Sequence, residues 1–252
     1  MIKKIINKIK QTGLLSLIIK ILSYPFGSKR RKIYKKMLQK SDIAEKFNDI
    51  YENNLWSSTE SGSGEGSEIA FTEPLRNWLV NNLSKFEINH FVDASCGDYN
   101  WMKLVIPKLE LQYIGLDIVK NVVDKNRELY ASDTVRFEVA DICIDKLPTC
   151  DLIMIRDCLF HLSYNDINNL LKNLESTEYK YLLTTTHSPE NNFVNKDIVT
   201  GDFRLIDLFS KPLNFNEQFI TERIRDYPNG YPIKREMILI EKKYVPTELL
   251  IY

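Results

Sequence analysis

Phe91-Val92-Asp93-Ala94-Ser95-Cys96-Gly97-Asp98 is an apolar run that closes in an acid-bearing turn around one glycine. A buried strand leaving a parallel sheet has this form, and Gly97 lets the backbone turn tightly and approach a ligand before a helix expected through Trp101 and Met102. Working outward, strand-like runs at 90–95, 112–118, 135–141, 151–156 and 181–186 alternate with helical periods, clearest at 119–130 and 164–174. A helix through Leu75, Trp78, Leu79 and Leu83 is expected to start at a Thr72 cap, and a short one at 201–208. Pro228-Asn229-Gly230 is a turn between runs 219–225 and 235–241, which predicts an antiparallel hairpin. The pattern is that of an α/β, seven-stranded, mostly parallel sheet with a C-terminal antiparallel hairpin, preceded by a helical extension.

A chain of 252 residues with 44% hydrophobic and 27% charged residues can bury one full core. Cys96, Cys143, Cys150 and Cys158 form no CxxC pair and are expected as buried thiols in a reducing cytoplasm. Three histidines with no HExxH or Cys/His cluster give no metal site. Net charge is zero but lopsided. Of 34 Lys and Arg, twelve lie in residues 1–40, which hold no acid, so the remaining 212 residues set 22 bases against 34 acids. Ile2, Ile5, Ile6 and Ile9 share one helical face opposite Lys3, Lys4, Lys8 and Lys10. The apolar stretch 13–26 is split by Lys20 and stopped by Pro25, short of a membrane span, and a signal peptide, the competing reading, lacks an AxA-like cleavage site. Residues 1–54 thus read as a basic amphipathic arm for an anionic membrane surface or for the protein's own acidic body. Residues 55–70, with SGSGEGS, read as a Gly/Ser-rich linker or a flap anchored by Trp56, and 71–252 as the main domain.

In open parallel sheets, ligands lie beyond the carboxyl ends of the strands. The second strand ends in Asp117, 20 residues after Gly97, the spacing at which an acid grips the two ribose hydroxyls of an adenosine cofactor. The third ends Ala140-Asp141-Ile142, a carboxylate and backbone groups suited to an adenine edge. Ser95 to Asn100 supplies only one glycine where a dinucleotide fingerprint needs three, and SGSGEGS lacks the GKS or GKT of a P-loop.

FVDASCGDYNW, YIGLDI, FEVADI and DLIMIRDCLFHLS resemble, in that order, the first four motifs of the class I S-adenosylmethionine (SAM)-dependent methyltransferases, over about residues 71–242. The resemblance implies a Rossmann-like fold and SAM as cofactor, with Asp93 and Gly97 at its methionine end, Asp117 at its ribose, and Asp141 with Ile142 at its adenine. Ser95 and Tyr99 stand where the motif usually has glycine. SGSGEGS, CGDYNWM, RDCLFHLS and GDFRLIDL are similar to a group of bacterial methyltransferases found in surface-polysaccharide gene clusters. That narrower resemblance implies a small acceptor, a sugar hydroxyl or a phosphoryl oxygen on a nucleotide-linked precursor.

Methyl transfer asks the protein to align an acceptor atom and exclude water, and an alcohol acceptor also asks for a base. His161, after the fourth strand, is the first base candidate, with packing beside the cofactor as its bland alternative; His187, after the fifth, is the second. Asp157 is a candidate to position the sulfonium or the acceptor, or simply a helix cap. Arg204 is a candidate clamp for a phosphate or carboxylate on the acceptor, with a surface salt bridge as its alternative. A non-catalytic partner of the same fold is the alternative from another class. A nucleic-acid methyltransferase is a third reading, set against the acidic body and the lack of a base-reading module. The expected location is cytoplasmic, peripheral on the inner face of the membrane if the arm binds there.

Overall fold

The computed structural model describes residues 28–188, 193–231 and 233–250. Its strands are β1 (His90–Ala94), β2 (Gln112–Asp117), β3 (Val135–Val139), β4 (Leu152–Ile155), β5 (Tyr181–His187), β6 (Ile220–Arg225) and β7 (Arg235–Glu241). They form one sheet in the order β3-β2-β1-β4-β5-β7-β6. β1 to β5 pair in parallel, and β7 runs antiparallel between β5 and β6. The α-helices among the described residues are α1 (Ser28–Leu38), α2 (Ile43–Glu52), α3 (Glu73–Asn82), α4 (Lys120–Tyr130) and α5 (Tyr164–Ser176).

β4 is apolar throughout and the strands beside it are largely so, because both faces of the central sheet are covered. Phe91, Leu152, Met154, Leu183, Met237 and Leu239 pack with Leu75 and Leu79 of α3 and Val123 of α4. Their alternating neighbours Val92, Ile153, Ile155, Leu182, Ile238 and Ile240 meet Ile167, Leu170, Leu171 and Leu174 of α5 on the other face. The chain leaves β1 toward β2 on one side, while β4 leads to β5 on the other. Strand order therefore reverses between β1 and β4, and a crevice opens beyond their carboxyl ends.

Four local expectations are corrected. No helix forms at 201–208: Gly201 has φ +96°, and the amides of Gly201 and Arg204 bond the carbonyls of His161 and Phe160 instead of a helical turn. After Gly97 there are only two 3-10 turns, Met102–Leu104 and Ile106–Lys108, because Tyr99 has φ +57° and Pro107 has no N–H to donate. Thr72 does not cap α3 through its side chain; its hydroxyl donates back to the Glu68 carbonyl at 3.0 Å. That helix stops at Asn82, and Leu83 opens a 3-10 turn.

The first two helices dock on the sheet domain. Met37, Ile50 and Leu55 are buried together, with Ile33, Tyr34, Phe47 and Trp56 against them. Asp42 caps α2 by accepting the Glu45 N–H at 2.9 Å, and Lys46 reaches the Thr200 carbonyl at 3.1 Å. The expected face of Ile2, Ile5, Ile6 and Ile9 and the stretch 13–26 lie outside the described residues. No helix of the described residues is long and apolar enough to cross a membrane.

Candidate active site

A cavity lies beyond the carboxyl ends of β1 to β4, and Asp93, Gly97, Asp117, Asp141 and Ile142 all line it. Asp117 accepts the Gly97 N–H through Oδ2 at 3.0 Å and the Val119 N–H through Oδ1 at 2.9 Å. Each of these oxygens keeps a lone pair for a further donor. Burial, opposed by those two amides, pushes its pKa up to about 6. Asp93 is buried and accepts the Tyr113 hydroxyl at 2.9 Å; burial, opposed by that bond and by Arg156, raises it to about 7. Asp141 Oδ1 accepts the Cys143 N–H at 2.9 Å, which turns the chain and sets Ile142 in the wall.

The loop after β1 takes positive φ at three positions, of which only Gly97 is glycine. Ser95 has φ +109° and Tyr99 φ +57°. Ser95 is held there by amide bonds from Ser95 and Cys96 to the Leu116 carbonyl, both 2.9 Å, while Tyr99 fills the core between Tyr113, Tyr130 and Phe137. Gly97, with φ +56°, has a second reason to lack a side chain: a Cβ there would stand 2.2 Å from the Ser63 hydroxyl.

A second cavity shares Trp56, Ser63, Asp157 and His161 with the first. His161 Nδ1 lies 2.8 Å from the Asp202 carbonyl. A carbonyl only accepts, so Nδ1 carries the proton and Nε2 is left with the lone pair. Burial, outweighing the Asp202 carbonyl and nearby carboxylates, lowers the His161 pKa, so the ring is neutral at pH 7. Tyr34 of α1 donates to the Asp202 carboxylate, so the first helix steadies the residue that orients this ring. His187, also lining the second cavity, holds the opposite tautomer: its Nδ1 accepts the Ile206 N–H at 3.3 Å, which leaves Nε2–H as a donor. Burial lowers its pKa to about 4.

Arg204 lies apart from these groups and lines neither cavity. Its guanidinium sits 5.0 Å from the centre of the Tyr164 ring and donates to the Leu159 carbonyl at 3.3 Å. The arginines at the cavities are Arg156 and Arg235, which sequence reasoning passed over. Arg156 grips Asp226 at 2.9 and 3.1 Å, and Arg235 bridges Asp157 at 2.8 Å and Asp226 at 3.2 Å. Asp157, at φ +55°, is thus fixed between two guanidiniums that hold its carboxyl below the usual range despite burial. The available signal was position: Arg156 follows β4, Asp226 follows β6, and Arg235 opens β7, all at strand ends. Glu65, Tyr231 and Tyr51 were likewise passed over; Tyr51 lines the first cavity and Tyr231 the second.

No family model and no curated protein matches the chain. Solved structures do. An N1-methyltransferase for 1,6-didemethyltoxoflavin from Burkholderia thailandensis, with that compound and S-adenosylhomocysteine bound, is similar at TM-score 0.56 and 10% identity, over 79% of this chain and 86% of that one. The mitomycin 7-O-methyltransferase MmcR is similar at TM-score 0.55 and 14% identity, over 77% of this chain and 60% of that one. The [4+2]-cyclase SpnF is similar at TM-score 0.52 and 13% identity, over 66% of this chain and 80% of that one. The chain spans little more than half the length of several similar structures, MmcR among them. The fold is that of the class I SAM-dependent methyltransferases.

Proposed function

We propose that the chain transfers a methyl group from SAM to a hydroxyl oxygen of a small acceptor. The observation that carries this reading is His161, which lines both cavities and whose Nδ1 is taken by the Asp202 carbonyl, so that Nε2 is left with the lone pair. The first cavity fits the cofactor in its donor set: Asp117 for the ribose hydroxyls, Asp141 with Ile142 for the adenine, and Asp93 with Gly97 for the methionine end. When bound, SAM supplies an electrophilic methyl group on a sulfonium. The chain's own part is to hold the acceptor in the second cavity, keep water out, and take the hydroxyl proton at His161 Nε2. Asp157 sits between the cavities and can orient the acceptor, and His187 Nε2–H is a hydrogen-bond donor rather than a second base.

Fold likeness alone does not carry the reaction, since one similar structure is a cyclase. A second reading, cofactor binding without methyl transfer, draws on that likeness and on Ser95 and Tyr99 in the first loop. For the acceptor, a sugar hydroxyl is favoured over a phosphoryl oxygen. Arg235 in the second cavity is already committed to two carboxylates, Glu65 adds negative charge there, and a phosphoryl oxygen needs no base. Trp56, Phe160, Phe203 and Tyr231 supply apolar faces for a sugar ring. On the resemblance of SGSGEGS, CGDYNWM, RDCLFHLS and GDFRLIDL to methyltransferases of surface-polysaccharide gene clusters, we propose that the enzyme acts in that biosynthesis in the cytoplasm, and the acidic body speaks against nucleic acid as its partner.

The test is incubation with SAM and a panel of cytidine- and guanosine-linked sugars, read by mass. A one-methyl gain on one panel member, with stoichiometric S-adenosylhomocysteine, is expected. Cofactor binding with no methylated product across sugars, phosphates and RNA would establish the second reading.

A further inference from the structure

We propose that Asp98 is a positioning residue that latches segment 58–68 shut as the common wall of both cavities, an inference that rests on the two-cavity reading above. The Asp98 carboxylate accepts the Ser61 hydroxyl at 2.9 Å, the Gly62 N–H at 2.8 Å and the Ser63 hydroxyl at 3.2 Å. Its own N–H donates to Ser63 Oγ at 3.0 Å. Two further residues brace the segment: Asn100 Nδ2 donates to Glu60 at 2.6 Å and to the Ser67 carbonyl at 3.1 Å, and Arg156 donates to the Gly66 carbonyl at 2.7 Å.

The glycines of SGSGEGS serve close approach rather than slack. A Cβ on Gly62 would stand 3.0 Å from the Tyr51 ring, one on Gly64 2.9 Å from Trp56, and one on Gly66 2.6 Å from the Asp157 carboxylate. The segment therefore lies flush on α2, on Trp56 and on the charged pair of the second cavity. Ser63 and Ser67 line the first cavity, and Ser63, Glu65 and Gly66 the second. Asp98 directly follows Gly97, whose N–H bonds Asp117. A ligand that orders this loop also orders the segment, so cofactor and acceptor sites share one hinge point at Asp98.

Hydrogen exchange on the full chain, with and without S-adenosylhomocysteine, tests this in wild type, Asp98→Ala and Asp98→Asn. Charged hydrogen bonds of this kind set the expected scale at about tenfold or more. In Asp98→Ala, amides 61–66 should exchange at least about tenfold faster while those of β1 and β4 are unchanged, and S-adenosylhomocysteine should bind at least about tenfold more weakly. Asp98→Asn keeps an acceptor oxygen and should recover most of both effects. Unchanged exchange at 61–66 in Asp98→Ala overturns the proposal, as does an opened segment with undiminished affinity, or a loss spread equally over β1 and β4 in both variants. If wild type takes up no S-adenosylhomocysteine, the cofactor reading fails, while the exchange comparison in the unliganded protein still decides the latch.

Discussion

At the scale of single residues, the base role proposed for His161 rests on what its other nitrogen does. With Nδ1–H committed to the Asp202 carbonyl, protonation falls on Nε2, and burial keeps the ring's pKa below 6.5. The acid fall in rate, as His161 protonates, should therefore lie at lower pH than an ordinary imidazole would give. His161→Ala should lower turnover by about 10²–10⁴-fold while leaving cofactor affinity within a few-fold. Steady-state kinetics beside calorimetry separates the two, and a collapse of affinity would make the ring a packing residue. Ser95 offers a different test. A non-glycine residue at φ +109° stores about 1–3 kcal/mol of strain, so Ser95→Gly should raise stability by about 1 kcal/mol in urea unfolding. Unchanged or lowered stability would show that its bond to the Arg156 carbonyl outweighs the strain. The strand-end acids were legible because strand periodicity fixes where a chain leaves a sheet. Arg204 was not, because nothing in GDFR says which way a turn will aim a side chain, and this one lies over Tyr164.

At the scale of elements, the β6–β7 hairpin is tied to the site by charge rather than by apolar contact alone. Asp226, fully buried, receives both Arg156 and Arg235. Removing one member of such a set leaves buried charge uncompensated, at a cost of about 3–5 kcal/mol. Asp226→Ala should then lower Tm by about 10 °C in calorimetry, and a shift of only a degree or two would show that the set is solvated in practice. Strands proved more legible than helices, since a sheet buried on both faces writes its strands as apolar runs, whereas 201–208 is apolar in pattern yet turned by Gly201. The segment 55–70 has the composition of a linker, and only its donors to Asp98 and the Ser67 carbonyl that accepts from Asn100 reveal it as a wall of the site.

At the scale of the whole molecule, the lopsided charge finds a partial account. α1 turns Ile33, Tyr34, Met37 and Leu38 inward and leaves Lys32, Lys35 and Lys36 exposed. We propose that this basic face, with the preceding arm, sits on an anionic membrane surface, where each basic residue contributes about 1 kcal/mol. The full chain should sediment with anionic vesicles at low salt and release as salt is raised. A chain that stays in the supernatant with anionic vesicles at low salt would leave the arm to the protein's own acidic body.

The central claim is the cofactor site, and S-adenosylhomocysteine titrated into wild type and Asp117→Ala by calorimetry tests it most directly. Ribose hydroxyls donate to an ionised carboxylate, and Asp117 titrates at about 6 when the site is free. Binding should be firm at pH 7.5, weaken as pH falls through about 6, and drop roughly tenfold or more in Asp117→Ala. A wild-type protein that binds no S-adenosylhomocysteine, or a folded Asp117→Ala protein that binds it as tightly as wild type, would contradict the account.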